Sequence, residues 1–194
     1  MDLQYGTVTF LFTDIEGSTR LWEAEPEATR AAVARHDSLV RGAIESHGGR
    51  IFKTGGDAFC AAFPSAIDAV TAAADAQGVL LPLAQDAVVP IRVRMALYTG
   101  DAERRDEDYF GPPLNRCARI LAAAHGGQAL LGATTASLVR EALPEPMALQ
   151  PLGEHRLRDL AAPETLYQLI HPGLPSEFPP CVPSRPSPTT CRSR

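Results

Sequence analysis

From Thr7 to Phe12 the chain reads Thr-Val-Thr-Phe-Leu-Phe, a nearly unbroken run of β-branched, aromatic and aliphatic residues that predicts a strand buried on both faces. The period then changes. Ala32, Val33, Leu39, Val40, Ala43 and Ile44 fall on a helical stripe, with Pro26 at its first turn and Gly48-Gly49 at its end. Arg50 to Thr54 and Ala58 to Phe63 read as two short strands, joined through Gly55-Gly56-Asp57 as a hairpin. Ser65 to Leu81 is an Ala-rich helix, and Pro82 to Pro90 a loop. The second half repeats the theme. Ile91 to Thr99 is a strand, and Gly100 to Gly111, dense in Asp, Glu and Arg, is expected to be an exposed connection. Pro112 or Pro113 opens a helix that Gly126-Gly127 closes, and Gln128 to Leu131 is a further strand. The resulting order, β-α-β-β-α-β, predicts an α+β fold: a ferredoxin-like, split βαβ sandwich. Thr134 to Arg140 adds a helix, and two late strands are expected near Gly153–Arg158 and Thr165–Ile170.

Composition narrows what such a fold can do. The 194 residues allow one domain, 1–171, and a tail, 172–194, in which seven prolines stand among Ser, Thr and Arg with little to bury; that end is expected to be disordered or a severed linker. A formal charge of -5 with scattered Arg gives no basic field for nucleic acid. No apolar run is seen to approach the roughly 18 residues that span a bilayer, and no signal sequence opens the chain, so a cytoplasmic protein without a membrane partner is expected. Cys60, Cys117, Cys181 and Cys191 lack metal-ligand spacing and read as free thiols, the first two buried.

The candidate chemistry gathers at the end of the first strand. Asp14 follows it, and then come Glu16, Gly17, Ser18 and Thr19, a strand-to-helix turn. A carboxylate there can hold Mg²⁺ while the Ile15 to Thr19 amides face phosphate oxygens; an acidic turn capped by Ser18 is the plainer reading. In a split βαβ unit the hairpin carrying Asp57 reaches the same sheet edge, so Asp14 and Asp57, with the Ile15 carbonyl, can hold two Mg²⁺ or Mn²⁺ ions. Two carboxylates placed together are costly without a cation. Asn115 and Arg119, four apart on one helix face, can reach one ligand, the amide orienting a ribose and the guanidinium meeting phosphate charge. A solvated Asn and a surface ion pair would give the same spacing. Lys53 and Asp108 can read a base edge as donor and acceptor, though each alone is an ordinary surface charge.

FTDIEGST, KTGGDAFCAAF and DYFGPPLNRCAR, in this order and spacing, closely resemble the class III nucleotidyl cyclase catalytic domain of adenylate and guanylate cyclases, in its actinobacterial form, over about Gly6 to Ile170. The resemblance implies an enzyme making 3',5'-cyclic AMP and pyrophosphate from ATP. It makes Asp14, Asp57 and Ile15 ligands of two Mg²⁺ or Mn²⁺ ions, Lys53 and Asp108 the adenine selectors, and Asn115 and Arg119 the pair serving ribose and transition state. Arg158 in HRLRDL stands where the family carries a triphosphate-binding Lys. It further implies a head-to-tail homodimer with two shared sites and a possible fused or separate regulatory module. Two rivals stand beside it. Gly55-Gly56-Asp57-Ala58-Phe59 is similar to the GGDEF signature of diguanylate cyclases but departs at Ala58, and a nucleotide-sensing, dimerising domain without turnover would carry the same motifs, as would a guanylate cyclase.

Overall fold

The computed structural model describes residues 4–85 and 88–181. Its centre is β1 (Gln4–Ile15), twelve residues long, which pairs antiparallel on one side with β3 (Ala58–Phe63) and on the other with β4 (Val93–Arg105). Outside β3 lies β2 (Arg50–Gly55), and β4 is followed in parallel by β6 (Ala129–Gly132). Two antiparallel strands, β8 (Glu164–Ile170) and β7 (Ala148–His155), complete the sheet beyond β6. The inner order β2-β3-β1-β4 is the ferredoxin-like arrangement expected from the hydrophobic pattern.

Period-2 alternation along β1 separates two cores. Leu11 and Ile15 face α2 (Pro26–Ser46), α3 (Ala66–Ala84) and α5 (Ala133–Val139), packing with Val40, Ile44, Phe63, Val70, Met95, Leu97 and Val139. Phe10 and Phe12 face the other way, toward α4 (Pro112–Ala123), with Ala96, Cys117, Ile120 and Leu130. Phe10 and Leu11 are both fully buried, so the strand is covered on both sides as its continuous apolar run requires. Each such side chain contributes about 1.5–3 kcal/mol on leaving water.

Several boundaries differ from expectation. Gly100 to Gly111 is strand and hairpin rather than a loose connection, although Asp101, Arg105, Asp106 and Glu107 are exposed as expected: β4 runs on to Arg105 because the N-terminal half of β1 supplies a partner, Thr7 opposite Asp101 and Gln4 opposite Arg104. Ala102 and Glu103 are consequently buried, and β5 (Asp108–Phe110) turns back along β4 as a hairpin. This hairpin curls over the second face, where Tyr109 meets Phe10 and Phe52 edge-on with ring centroids 5.4 and 5.1 Å apart, and Glu107 pairs with Arg50. Helix α3 continues through Pro82 to Ala84. Pro82 and Gly78, four residues back, are both exposed, so the carbonyl that proline cannot bond is met by solvent. Strand β7 begins at Ala148 and ends at His155, its register against β8 shifting between Pro151 and Gly153; Arg158 therefore lies in the β7–β8 loop.

The absence of a long apolar stretch also needs correction. With only Asp68 and Asp75 as charges, α3 is long and apolar enough, at a mean hydropathy of 1.2, to cross a membrane by length and composition. Its Ala69, Val70, Ala72, Ala73 and Ala76 are buried against the sheet, and these small side chains let the helix sit close to it. Past His171, residues as far as Cys181 lie against the domain: Gln168 Nε2 donates to the Ser176 carbonyl at 2.8 Å, and the rings of His125 and Phe178 stack 6.4 Å apart. The rest of the expected tail, with Cys191, falls outside the described residues. Cys117 is buried and Cys60 half-buried, both free.

Candidate active site

The end of β1 and the β2–β3 turn do meet. Thr13 pairs with Phe59, which carries the turn to the strand end, and Asp57 Oδ2 accepts the Ile15 N–H at 2.7 Å. Asp14 lies opposite Arg94 in the β1–β4 register, and the guanidinium grips its carboxylate through two bonds, Nε to Oδ1 at 2.7 Å and Nη2 to Oδ2 at 2.5 Å. The bonds it donates to Asp14 raise the Arg94 pKa above its ordinary value despite partial burial, and Glu16 and Asp57 add to the shift. Three carboxylates thus surround one guanidinium, leaving the edge electronegative.

That edge suits hard cations, because carboxylate and carbonyl oxygens are what Mg²⁺ and Mn²⁺ take. Among the described residues no cluster of three or more His, Cys, Asp or Glu side chains could hold a metal ion. A metal here would lean on Asp14, Asp57, the Ile15 carbonyl and the oxygens of a ligand, and Arg94 would have to yield at least part of Asp14.

The Ile15 to Thr19 amides are less available than expected. Ile15 N–H is taken by Asp57, and Glu16 N–H extends the β1–β4 ladder to the Arg92 carbonyl at 2.9 Å. Only Gly17, Ser18 and Thr19 open α1 (Ser18–Ala24), and the cap is Gly17 in the left-handed region at φ 68°, with no Ser18 side-chain bond. Gly17 fits because a residue without Cβ enters that conformation freely.

The remaining residues gather elsewhere. Lys53 pairs in register with Cys60, and both Lys53 and Asp108 act on its thiol, whose pKa burial pushes up to about 11, Lys53 opposing and Asp108 adding. Lys53 and Asp108 therefore both lie near Cys60, Lys53 through the β2–β3 pairing and Asp108 through the curled hairpin; Lys53 is exposed and Asp108 half-buried. On α4, Asn115 is exposed and lines an open cavity of about 630 Å³ with Tyr109, Phe110, Leu114 and Asp159. Arg119, one turn on, donates through Nη2 to Asp159 Oδ2 at 2.7 Å, and Arg158 Nε lies 3.5 Å from the same oxygen. Arg116 lines the same cavity and donates to Glu164 at 2.8 Å, whereas Arg119 lies outside that lining.

Two residues escape the sequence reading. Arg94 is a lone cation within the apolar stretch Val93–Thr99, and its placement two residues after Arg92, at a strand position opposite Asp14, was a possible signal. Asp159 adjoins Arg158 in sequence, but nothing local announces its bond to Arg119.

A family model for the adenylate and guanylate cyclase catalytic domain matches residues 2–171, and the chain belongs to that family. An uncharacterised protein of Mycobacterium tuberculosis is 44% identical over 187 residues, covering 95% of this chain; the chain spans 63% of that relative's length. An adenylate cyclase of Podospora anserina is 36% identical over 148 residues, 63% of this chain but 7% of that protein. Among solved structures, an adenylate cyclase from Trypanosoma brucei in its monomeric state superposes with TM-score 0.75 at 28% identity, covering 93% of this chain and 96% of the other. The adenylyl cyclase CyaB from P. aeruginosa gives TM-score 0.78 at 24% identity, over 88% and 97%, a likeness of fold.

Proposed function

We propose that this protein converts ATP to 3',5'-cyclic AMP and pyrophosphate at sites completed across a head-to-tail homodimer. The observation that carries the reading is the division of charge within one chain: Asp14 and Asp57 at the end of β1, Asn115, Arg119 and Arg158 around α4 and the β7–β8 loop. Facing copies would bring one set to the other. The relatives named as adenylate cyclases support ATP as the substrate, as does a base-edge donor and acceptor in Lys53 and Asp108.

Mg²⁺ or Mn²⁺, two per site, held by Asp14, Asp57 and the Ile15 carbonyl would make the ribose 3'-hydroxyl more acidic and offset phosphate charge. Everything else falls to the chain. Asn115 orients the ribose so that its 3'-oxygen lies in line with the α-phosphorus. As that oxygen bonds to phosphorus, the bond to pyrophosphate breaks and the hydroxyl proton passes to solvent. Arg119 offsets charge on the departing side, while Arg158 and the Gly17 to Thr19 amides receive the outer phosphates. A non-catalytic nucleotide sensor remains the second reading, favoured by one feature: Asp14 and Arg119 are each already paired within the chain.

The test is chromatography of the products after incubation with ATP or GTP and Mn²⁺. Cyclic AMP with pyrophosphate is expected. Cyclic GMP alone would move the substrate to GTP, a linear dinucleotide would replace the reaction, and bound, unchanged ATP would leave the sensor.

A further inference from the structure

The loop after β7 is built to present two charges side by side. Leu157 is buried and Leu160 packs on the same core, and the Leu160 N–H reaches back to the Leu157 carbonyl at 3.3 Å. Arg158 and Asp159 are the two residues left at the tip of this turn. Asp159 occupies the left-handed region at φ 60°, a conformation that side-chain-bearing residues rarely adopt and that Asp and Asn tolerate best. From there one carboxylate oxygen, Oδ2, takes Arg119 at 2.7 Å and lies 3.5 Å from Arg158. Asp159 is 52% exposed and Arg119 39%, so water and a competing anion can reach the contact.

We infer that Asp159 is a resident counter-anion: its carboxylate, on the wall of the Asn115 cavity, stands where a polyphosphate oxygen would stand and holds Arg119 and Arg158 together until the ligand displaces it. The inference rests on reading Arg119 and Arg158 as polyphosphate-binding groups. Asp159 is then a positioning residue that acts through Arg119. It keeps the guanidinium extended toward the loop, and it lowers affinity for any polyanion by the work of replacing it. A carboxylate that only repelled the anion through space would lower its affinity whether or not Arg119 were present.

The experiment measures binding of inorganic tripolyphosphate to the full chain by calorimetry, with EDTA present and at low ionic strength. Asp159→Asn keeps the size and the tolerance for the left-handed backbone while removing the charge. Asp159→Gly removes the charge and the backbone strain together, and stands in if the Asn variant folds poorly. Both should bind tripolyphosphate about three- to tenfold more tightly than wild type. The gain should shrink with added salt and vanish in Asp159→Asn combined with Arg119→Ala. Unchanged or weaker binding in folded variants overturns the inference, as does a gain that survives loss of Arg119. Turnover is not the readout, so the two readings fail separately: tighter binding without any cyclic product would leave the counter-anion standing and remove the cyclase, and cyclic product with unchanged tripolyphosphate affinity would do the reverse.

Discussion

Asp57 both braces a backbone group and faces a candidate metal edge, and its two simplest substitutions separate those tasks. Its carboxylate accepts the N–H of Ile15, a residue 2% exposed. Asp57→Ala leaves that donor without a partner, at a cost of about 1–3 kcal/mol. Asp57→Asn keeps an acceptor oxygen but gives up the charge. The expected outcome is a Tm lowered by several degrees for Ala and little changed for Asn, measured by calorimetry, while both variants reduce cyclic nucleotide formation to background. An active Asn variant at saturating Mn²⁺ would take Asp57 out of metal binding. At this scale, what could be read from sequence was whatever the topology forces together. Asp14 ends a strand and Asp57 sits in a turn that must reach the same edge, so their convergence follows from element order. Arg94 and Asp159 could not be found that way. Their bonds span 80 and 40 residues, and each depends on a side-chain register that the pattern of apolar positions does not specify.

Among elements, the turn between α4 and β6 ties the α4 side of the sheet to the Asp14 edge. A Cβ on Gly126 would lie 2.5 Å from Arg92 Cβ and 2.8 Å from Glu16 Oε2, so only glycine lets this turn close on the residues that follow β1. Gly126→Ala should push the turn away at about 1–3 kcal/mol, the usual cost of overpacking. The expected sign is a Tm drop of roughly 2–10 °C. Turnover should fall with it, since Glu16 is coupled through one peptide to Ile15. An unchanged Tm would mean that the turn gives way freely. Elements were legible where the period was clean, as in β1, α2 and the β2–β3 hairpin. They were missed where partnership overrode composition: the charged run after Thr99 becomes strand because the start of β1 is there to pair with it, and the Ala-rich helix passes Pro82 because that face is wet.

For the whole molecule, the proposed sharing of sites predicts complementation. An Asp14→Ala chain and an Arg119→Ala chain should each be inactive alone. Mixed in equal amounts and paired at random, they should recover about one quarter of the wild-type rate, since half the dimers then hold one intact site of two. The recovered rate should climb with total protein where the dimer is weak. Mixed chains that stay dead despite proven heterodimers, or a monomer by light scattering that still turns over ATP, would exclude the shared site.

The Asp14–Arg94 and Arg119–Asp159 pairs have a further consequence for how two copies would come together. Neither pair is a closed balance: Asp14, Glu16 and Asp57 all act on Arg94, while Asp159 is shared by Arg119 and Arg158, so a head-to-tail approach sets an excess of negative charge against an excess of positive. Under the dimer reading, encounter would gain from electrostatic steering and lose that gain as salt rises, and the exchange of internal partners for nucleotide would weaken with salt as well. Assembly and loading would then answer to the same ionic conditions, and a rise in ionic strength would lower both the number of dimers and how full their sites are.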